Sequence, residues 1–197
     1  EAHIEALLAG ATSRESMIMP WAPGVTKETY KEMVQKLDPE FAPMAEICVA
    51  DDADAERVFN SWFAWYMNNG SLALCDFMDH VSHKKAYSYS FRREVPGCDQ
   101  PGPFHSACIW YMFGNLHNCS RPFTEADFEL EHHMNQYWAN FTKTGDPNGE
   151  GLPLWEPYTH ESRKTMILDA DAYQMEDLSA ARKDYYHLRD RLVKAAE

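Results

Sequence analysis

The chain has 197 residues, of which 45% are hydrophobic and 25% charged, a balance typical of one globular domain or a large piece of one. Its 31 acidic and 18 basic residues give a formal net charge of -13, so phosphate backbones would be repelled and nucleic-acid binding is not expected. No apolar run approaches the roughly 20 residues that span a bilayer, and no basic amphipathic segment indicates a membrane surface.

The chain opens on EAHIEALLAGA, without an initiator Met and without the basic start, apolar centre and cleavage site of a signal peptide. Residues 4–11 form an apolar run closed by Gly10, which is typical of a buried strand. A chain that begins this close to a strand is expected to be a fragment of a larger domain.

Predicted helices and strands alternate along the chain. Apolar residues at helical spacing predict helices over residues 26–37, 53–67, 71–83, 124–143 and 179–193. Thr26 and Thr124 are expected to cap the first and fourth of these helices. The fourth helix has a predicted buried stripe of Phe128, Met134, Tyr137, Trp138 and Phe141.

Two further strands are predicted. Residues 85–91 (KAYSYSF) alternate aromatic with small side chains, so one sheet face should be aromatic and the other small, and residues 165–169 (TMILD) are a short strand. Long helical crossovers between the strands imply parallel pairing in an α/β sheet. Only about three strands are found, which would leave an open sheet edge and again points to a larger parent domain.

The five cysteines are irregularly spaced, and most are expected to be free thiols. The alternative is one loop disulfide between Cys98 and Cys119. Cys108 lies three residues after His105, but a nucleophilic Cys normally meets a His from elsewhere in the fold, so we interpret Cys108 as a buried structural residue.

Histidines at metal-ligand spacing are a second alternative. His80 and His83 are three residues apart, and His132 and His133 are adjacent. Zinc sites need three or four convergent ligands, and no matching second cluster is found. Solvated helix faces are therefore the preferred interpretation, and no metal is expected.

An acyl-transfer pair is the third interpretation. Glu15 lies in a turn just after the first strand, and His105 follows the Pro/Gly-rich loop 92–104 after the second. In open α/β sheets, functional residues gather on loops beyond the carboxyl ends of the strands. A carboxylate there can orient an imidazole, which can then take a proton from a serine hydroxyl.

Flanking motifs strengthen that interpretation. Residues 102–116 (GPFHSACIWYMFGNL) resemble the signature around the catalytic His of the type-B carboxylesterase family, which includes para-nitrobenzyl esterases and cholinesterases. Residues 134–158 (MNQYWANFTKTGDPNGEGLPLWEPY) resemble the family's following helix and loop, and residues 165–177 its last strand and turn. Residues 8–16 (LAGATSRES) resemble the turn that carries the triad acid, at Glu15.

The resemblance implies the C-terminal portion of an α/β-hydrolase fold, with Glu15 and His105 in a Ser-His-Glu triad. It implies Ile18 and Met19 as pocket residues, with core packing as an equal alternative, and Ser106 and Cys108 as supports beside the His. No cofactor is needed, and the expected partner is a small-molecule ester substrate.

The sequence departs from the family at three positions. Arg14 stands where the family has an acidic residue, Ser16 where it has Gly, and Cys108 where it has Glu. No G-x-S-x-G is present, and the triad order Ser, acid, His requires the serine upstream of Glu15. The missing N-terminal part of the domain is thus an expected partner, and the chain alone should be inactive. The remaining alternatives are a non-catalytic cholinesterase-like binding domain and an inactive truncated product.

Overall fold

The computed structural model describes residues 4–15, 24–37, 39, 51–52, 55, 70–170 and 174–177. The predicted helix over 179–193 and nearly all of the helix over 53–67 lie outside these residues. Cys48 and the predicted pocket residues Ile18 and Met19 lie outside them as well.

Four strands form one sheet in the order β1 (Ala6–Thr12), β2 (Lys85–Phe91), β3 (Lys164–Leu168) and β4 (Gln174–Asp177). β2 pairs in parallel with β1 and β3, whereas β4 pairs antiparallel with β3. The three predicted strands, their parallel pairing and the α/β class are confirmed. β4 escaped prediction because it is four residues long and no apolar run marks it.

The two faces of β2 differ as the alternation predicts. Tyr87 and Phe91 are fully buried in the main core, on the side covered by the helices that follow the strand. Ala86 points to the other side, where it meets Leu72 and Cys75 in a second, smaller core. The aromatic face of β2 therefore packs in the main core on one side of the sheet, and its small-residue face packs in the second core on the other side.

Helix α1 (Lys27–Leu37) begins at Thr26, as predicted. Thr26 and Thr29 cap it reciprocally, since each backbone N–H donates to the other's Oγ1, at 2.9 Å from Thr26 and 3.2 Å from Thr29. The predicted helix over 71–83 is present as helical residues 70–76 that continue into a π-helical turn, Phe77–Val81.

Two helices follow β2. Helix α2 (Ala107–Met112) escaped prediction, because six residues are too few for helical periodicity to be recognised. Helix α3 (Glu125–Thr144) begins at the predicted cap Thr124. Four residues of its predicted stripe are buried or partly buried: Met134, Tyr137, Trp138 and Phe141. The prediction is wrong for Phe128, which is 43% exposed because its neighbour Asp127 occupies the inward-facing position instead.

Trp155 anchors the loop that joins α3 to β3, residues 145–163. Its ring is fully buried, with Tyr137 edge-on at 5.2 Å, and its indole N–H donates to the Ser88 carbonyl of β2 at 3.2 Å. The Asn148 amide accepts the Trp155 backbone N–H at 2.7 Å and donates to its carbonyl at 2.9 Å. This loop is therefore part of the core.

A buried ionic network ties the start of the loop 92–104 to both helices. The Asp127 carboxylate is fully buried and accepts two hydrogen bonds from Arg93, at 2.7 and 3.0 Å. It also accepts from the Tyr111 hydroxyl at 2.9 Å and from the backbone and hydroxyl of Thr124. Burial alone would raise the pKa of Asp127, but these hydrogen bonds outweigh it and lower the pKa to about 2.

Asp127→Ala is expected to lower the free energy of unfolding by about 3 to 5 kcal/mol, because it leaves the half-enclosed Arg93 guanidinium without its counter-ion. Urea denaturation followed by circular dichroism measures the change. Asp99→Ala is the matched control, since it removes an exposed partner of Arg121 in the same loop and should cost far less. Equal losses in the two variants would contradict a central role for Asp127.

The same carboxylate should make stability depend on acid pH. Because its pKa is lowered from 3.8 to about 2 by folding, its contribution of about 2 kcal/mol is complete above pH 3.8. That contribution is lost as the pH falls through 2. Urea titrations between pH 2 and pH 5 should show a steeper loss for the wild type than for Asp127→Asn, and parallel curves would refute the assignment.

Candidate active site

Parallel pairing of β1 and β2 brings two loops to one edge of the sheet. The last residues of the strands, Thr12 and Phe91, are register partners, and Ser13 N–H donates to the Phe91 carbonyl at 2.9 Å. One residue later, Arg14 N–H donates to the Pro103 carbonyl at 3.3 Å and forms a parallel bridge with Phe104. The turn that carries Glu15 therefore lies directly beside the loop that carries His105.

Glu15 is a buried carboxylate, with only 5% of the residue exposed. Its Oε1 accepts the backbone N–H of Thr12, three residues earlier, at 2.6 Å. This is the T-x-x-E pattern, in which a carboxylate reaches back to the backbone N–H three residues earlier, as in a capping box. The hydrogen bond fixes the orientation of the carboxylate and leaves Oε2 for a second partner.

His105 is that partner. Its Nδ1 hydrogen-bonds with Oε2 of Glu15, while 48% of its side chain stays exposed. Ser106 follows in the left-handed conformation, at φ 70°, and turns the chain into α2. Within the described residues, Nε2 of His105 has no hydrogen-bond partner. The imidazole is thus held at one nitrogen and accessible at the other.

Cys108 and Tyr89 lie behind the pair. Cys108 is buried, and burial together with the charge of Glu15 raises the pKa of its thiol to about 12. Burial, with smaller effects from the neighbouring Cys108 and Glu15, raises the pKa of the Tyr89 hydroxyl. Gly10 makes room for Tyr89, since a Cβ there would lie 2.2 Å from the Tyr89 carbonyl oxygen. Both groups are neutral near pH 7, so neither places a second anion beside Glu15.

A second histidine–carboxylate pair lies at the other end of β2. Nδ1 of His160 is 2.8 Å from Oδ1 of the buried Asp76, and the ring stacks on His80 at 4.8 Å. The neighbouring Tyr158 pairs with Ala86, near the start of β2. At about 3.3 Å per residue, the length of β2 separates this pair from His105 by roughly 20 Å.

The structure thus brings Glu15 and His105 together, with Ser106 and Cys108 next to them. Sequence reasoning missed Thr12 and Tyr89, although the T-x-x-E spacing is a signal for the former. The four described cysteines, Cys98 and Cys119 included, are free thiols. In the described part of the chain, no three or more His, Cys, Asp or Glu side chains are grouped to hold a metal ion. No described helix combines the length and apolarity needed to cross a membrane.

Comparison with solved structures identifies the fold. A PNB esterase structure superposes with a TM-score of 0.71 over 90% of this chain and 37% of its own, at 23% identity. The parallel strands and the flanking helices are therefore those of part of an α/β-hydrolase fold.

Sequence comparison identifies the family. A sequence model of the carboxylesterase family matches residues 49–186, which is more than half of the chain, so the chain belongs to this family. Carboxylesterase 5A of Felis catus is 54% identical over 46 residues, covering 23% of this chain and 8% of that protein. Para-nitrobenzyl esterase of Bacillus subtilis is 28% identical over 105 residues, covering 51% of this chain and 21% of that protein. The chain spans well under half the length of these relatives.

The pKa of Cys108 predicts that it will not react as a nucleophile. At pH 8 a thiol with a pKa of about 12 is ionised only in about one molecule in ten thousand, and the residue is also buried. Iodoacetamide should therefore alkylate the exposed Cys98 but not Cys108 in the folded protein, as measured by peptide mass spectrometry. Unfolding in urea should make both Cys98 and Cys108 reactive. Rapid labelling of Cys108 without urea would contradict the prediction and support Cys108 as a nucleophile.

Proposed function

We propose that this chain supplies the acid and the base of a serine carboxylesterase, with Glu15 and His105 in those roles. The observation that carries the proposal is the hydrogen bond between Glu15 Oε2 and His105 Nδ1 at the carboxyl ends of parallel strands. Membership of the carboxylesterase family supports the same reaction class, hydrolysis of carboxylic esters.

The geometry supports these two proposed roles. Glu15 accepts a hydrogen bond from Nδ1–H of His105, which favours the tautomer that carries its proton on Nδ1. Nε2 is then able to take a proton from a serine hydroxyl as the hydroxyl oxygen attacks the ester carbonyl. The imidazolium then gives that proton to the departing alcohol. Water then attacks the acyl carbonyl while His105 takes one of its protons, and the imidazolium returns a proton to the serine oxygen as the bond from the acyl group to serine breaks and the carboxylic acid leaves. The fixed negative charge of Glu15 stabilises the imidazolium in both halves of the cycle.

The serine must come from another part of the protein, because no G-x-S-x-G occurs in the 197 residues. We propose that residues preceding Glu1 in a longer polypeptide, or a complementing chain, supply the nucleophile and the backbone donors for the oxyanion. Ile18 and Met19 stay proposed as pocket residues that contact the ester. The substrate is a small-molecule carboxylic ester, and no cofactor takes part.

The decisive experiment measures p-nitrophenyl acetate hydrolysis by a polypeptide that joins this chain to its upstream residues. Glu15→Gln and His105→Gln should each lower kcat by a factor of about 10³ or more, because the imidazole is misoriented or lost. His160→Gln is the matched control, since it removes a histidine from a similar pair at the far end of β2. Its activity should stay within about threefold of the wild type, as for a residue that makes no contact with the reacting atoms.

Two results would contradict the proposal. Equal losses in the His105 and His160 variants would mean that both histidines act only through folding. Absence of hydrolysis by the joined polypeptide, together with tight binding of another ligand, would favour the non-catalytic binding domain. The 197-residue chain alone should show no turnover above background, and turnover that His105→Ala abolishes would show that no further segment is needed.

A further inference from the structure

Arg14 sits between the two loops of the candidate site. Its backbone already joins them, through the N–H that donates to Pro103 and the bridge with Phe104. The next residue is Glu15, and Phe104 directly precedes His105. Any displacement of Arg14 from the histidine loop therefore moves the carboxylate away from the imidazole.

The Arg14 side chain makes two more contacts with the same loop. One guanidinium nitrogen lies 3.3 Å from Oε1 of Glu94, three residues after the end of β2. The side chain also covers Gly102, where a Cβ would lie 2.6 Å from Nη1. Gly102 has a φ of 65°, a conformation that favours glycine. The turn therefore favours a residue without a side chain at the point that Arg14 covers.

The sign of the charge also matters at this position. Glu94 belongs to the loop, and Glu15 is a buried carboxylate in the turn. An acidic side chain at position 14, as in the family pattern, would face Glu94 with like charge. The arginine instead attracts the loop towards the turn, and the ion pair leaves no net charge beside the buried pair.

We propose that Arg14 is a positioning residue for the Glu15–His105 pair, which it aligns by binding Glu94 and covering Gly102. Its significance for catalysis rests on the proposed function, but its effect on the geometry does not. Arg14 touches no reacting atom. It limits how far the acid turn and the histidine loop can separate.

The rival explanation is a through-space effect of the guanidinium charge on His105. The two explanations predict different changes in the rate at which the Nδ1 proton exchanges with water when Arg14 or Glu94 is replaced. Loss of a cation lowers the local hydroxide concentration and slows base-catalysed exchange, whereas loss of an anion accelerates it. Loss of positioning accelerates exchange whichever partner is removed, because the hydrogen bond to Glu15 opens more often.

The test is proton NMR of the 197-residue chain, following the low-field Nδ1 proton, which is assigned by its absence in His105→Gln. Arg14→Gln and Glu94→Gln should each accelerate exchange about two- to fivefold, the range expected for an exposed ion pair. The double variant should exchange no faster than either single variant, because both remove the same interaction. The amide of residue 14, which donates to Pro103, should exchange faster in parallel.

Arg121→Gln is the matched control. Arg121 pairs with Asp99 of the same loop at 2.9 Å, and its hydrogen bonds within the described residues go to Asp99 and the Pro96 carbonyl rather than to the acid turn, so its loss should leave Nδ1 exchange unchanged. The proposal is overturned if Arg14→Gln leaves exchange unchanged, if the two single variants act in opposite directions, or if their effects add. Because the test measures no turnover, its outcome does not depend on whether the protein is an active esterase. An outcome that overturns the role of Arg14 would in turn leave the proposed roles of Glu15 and His105 unaffected.

Discussion

The parallel register of β1 and β2 is the constraint on which the site depends. Because Thr12 is the register partner of Phe91, the chain leaves both strands at one edge of the sheet. Ser13, the first residue beyond β1, donates a backbone hydrogen bond to Phe91, the last residue of β2. Glu15 needs only three residues to reach its position, but His105 comes fourteen residues after Phe91. A flexible excursion of that length would leave the imidazole free to sample many positions, so the loop has to be held along its course.

Three arginines hold that loop, each at a different point. Arg93 fixes its start to the buried Asp127, Arg121 fixes its middle through Asp99 and the Pro96 carbonyl, and Arg14 fixes its end. Their exposure differs, and so should their energetic weight. The buried Arg93 pair stabilises the fold, whereas the two exposed pairs contribute little to stability, and of these two it is the Arg14 pair that joins the loop to the acid turn.

Two of the buried carboxylates, Asp127 and Glu15, are satisfied in contrasting ways. Asp127 faces a guanidinium and a full set of donors, so its charge is neutralised by the fold. Glu15 has one backbone donor and Nδ1 of His105 as its hydrogen-bond partners, and its neighbour Cys108 stays neutral. Arginine thus balances the charge of Asp127, whereas the hydrogen bonds of Glu15 orient its carboxylate towards His105.

The sequence alone predicted the helices and strands whose residues follow a clear helical or strand periodicity. It also predicted the pair of Glu15 and His105, which lie in the loops after two of the strands. Alternation over residues 85–91 indicated β2 and its two faces, and strand order made Glu15 and His105 neighbours. It could not predict β4 or α2, which are too short to carry a period, nor the exposure of Phe128, which depends on Arg93 reaching Asp127 from a distant loop. Arg14 was recognisable only as a departure from a pattern, because its partners Glu94 and Gly102 are more than seventy residues away. The Glu15 carboxylate is buried, whereas about half of the His105 side chain is exposed, so solvent screens the attraction between the carboxylate and a protonated imidazole. For the roles proposed above, the segment that supplies the serine would also have to exclude water from His105, because low-dielectric surroundings strengthen that attraction.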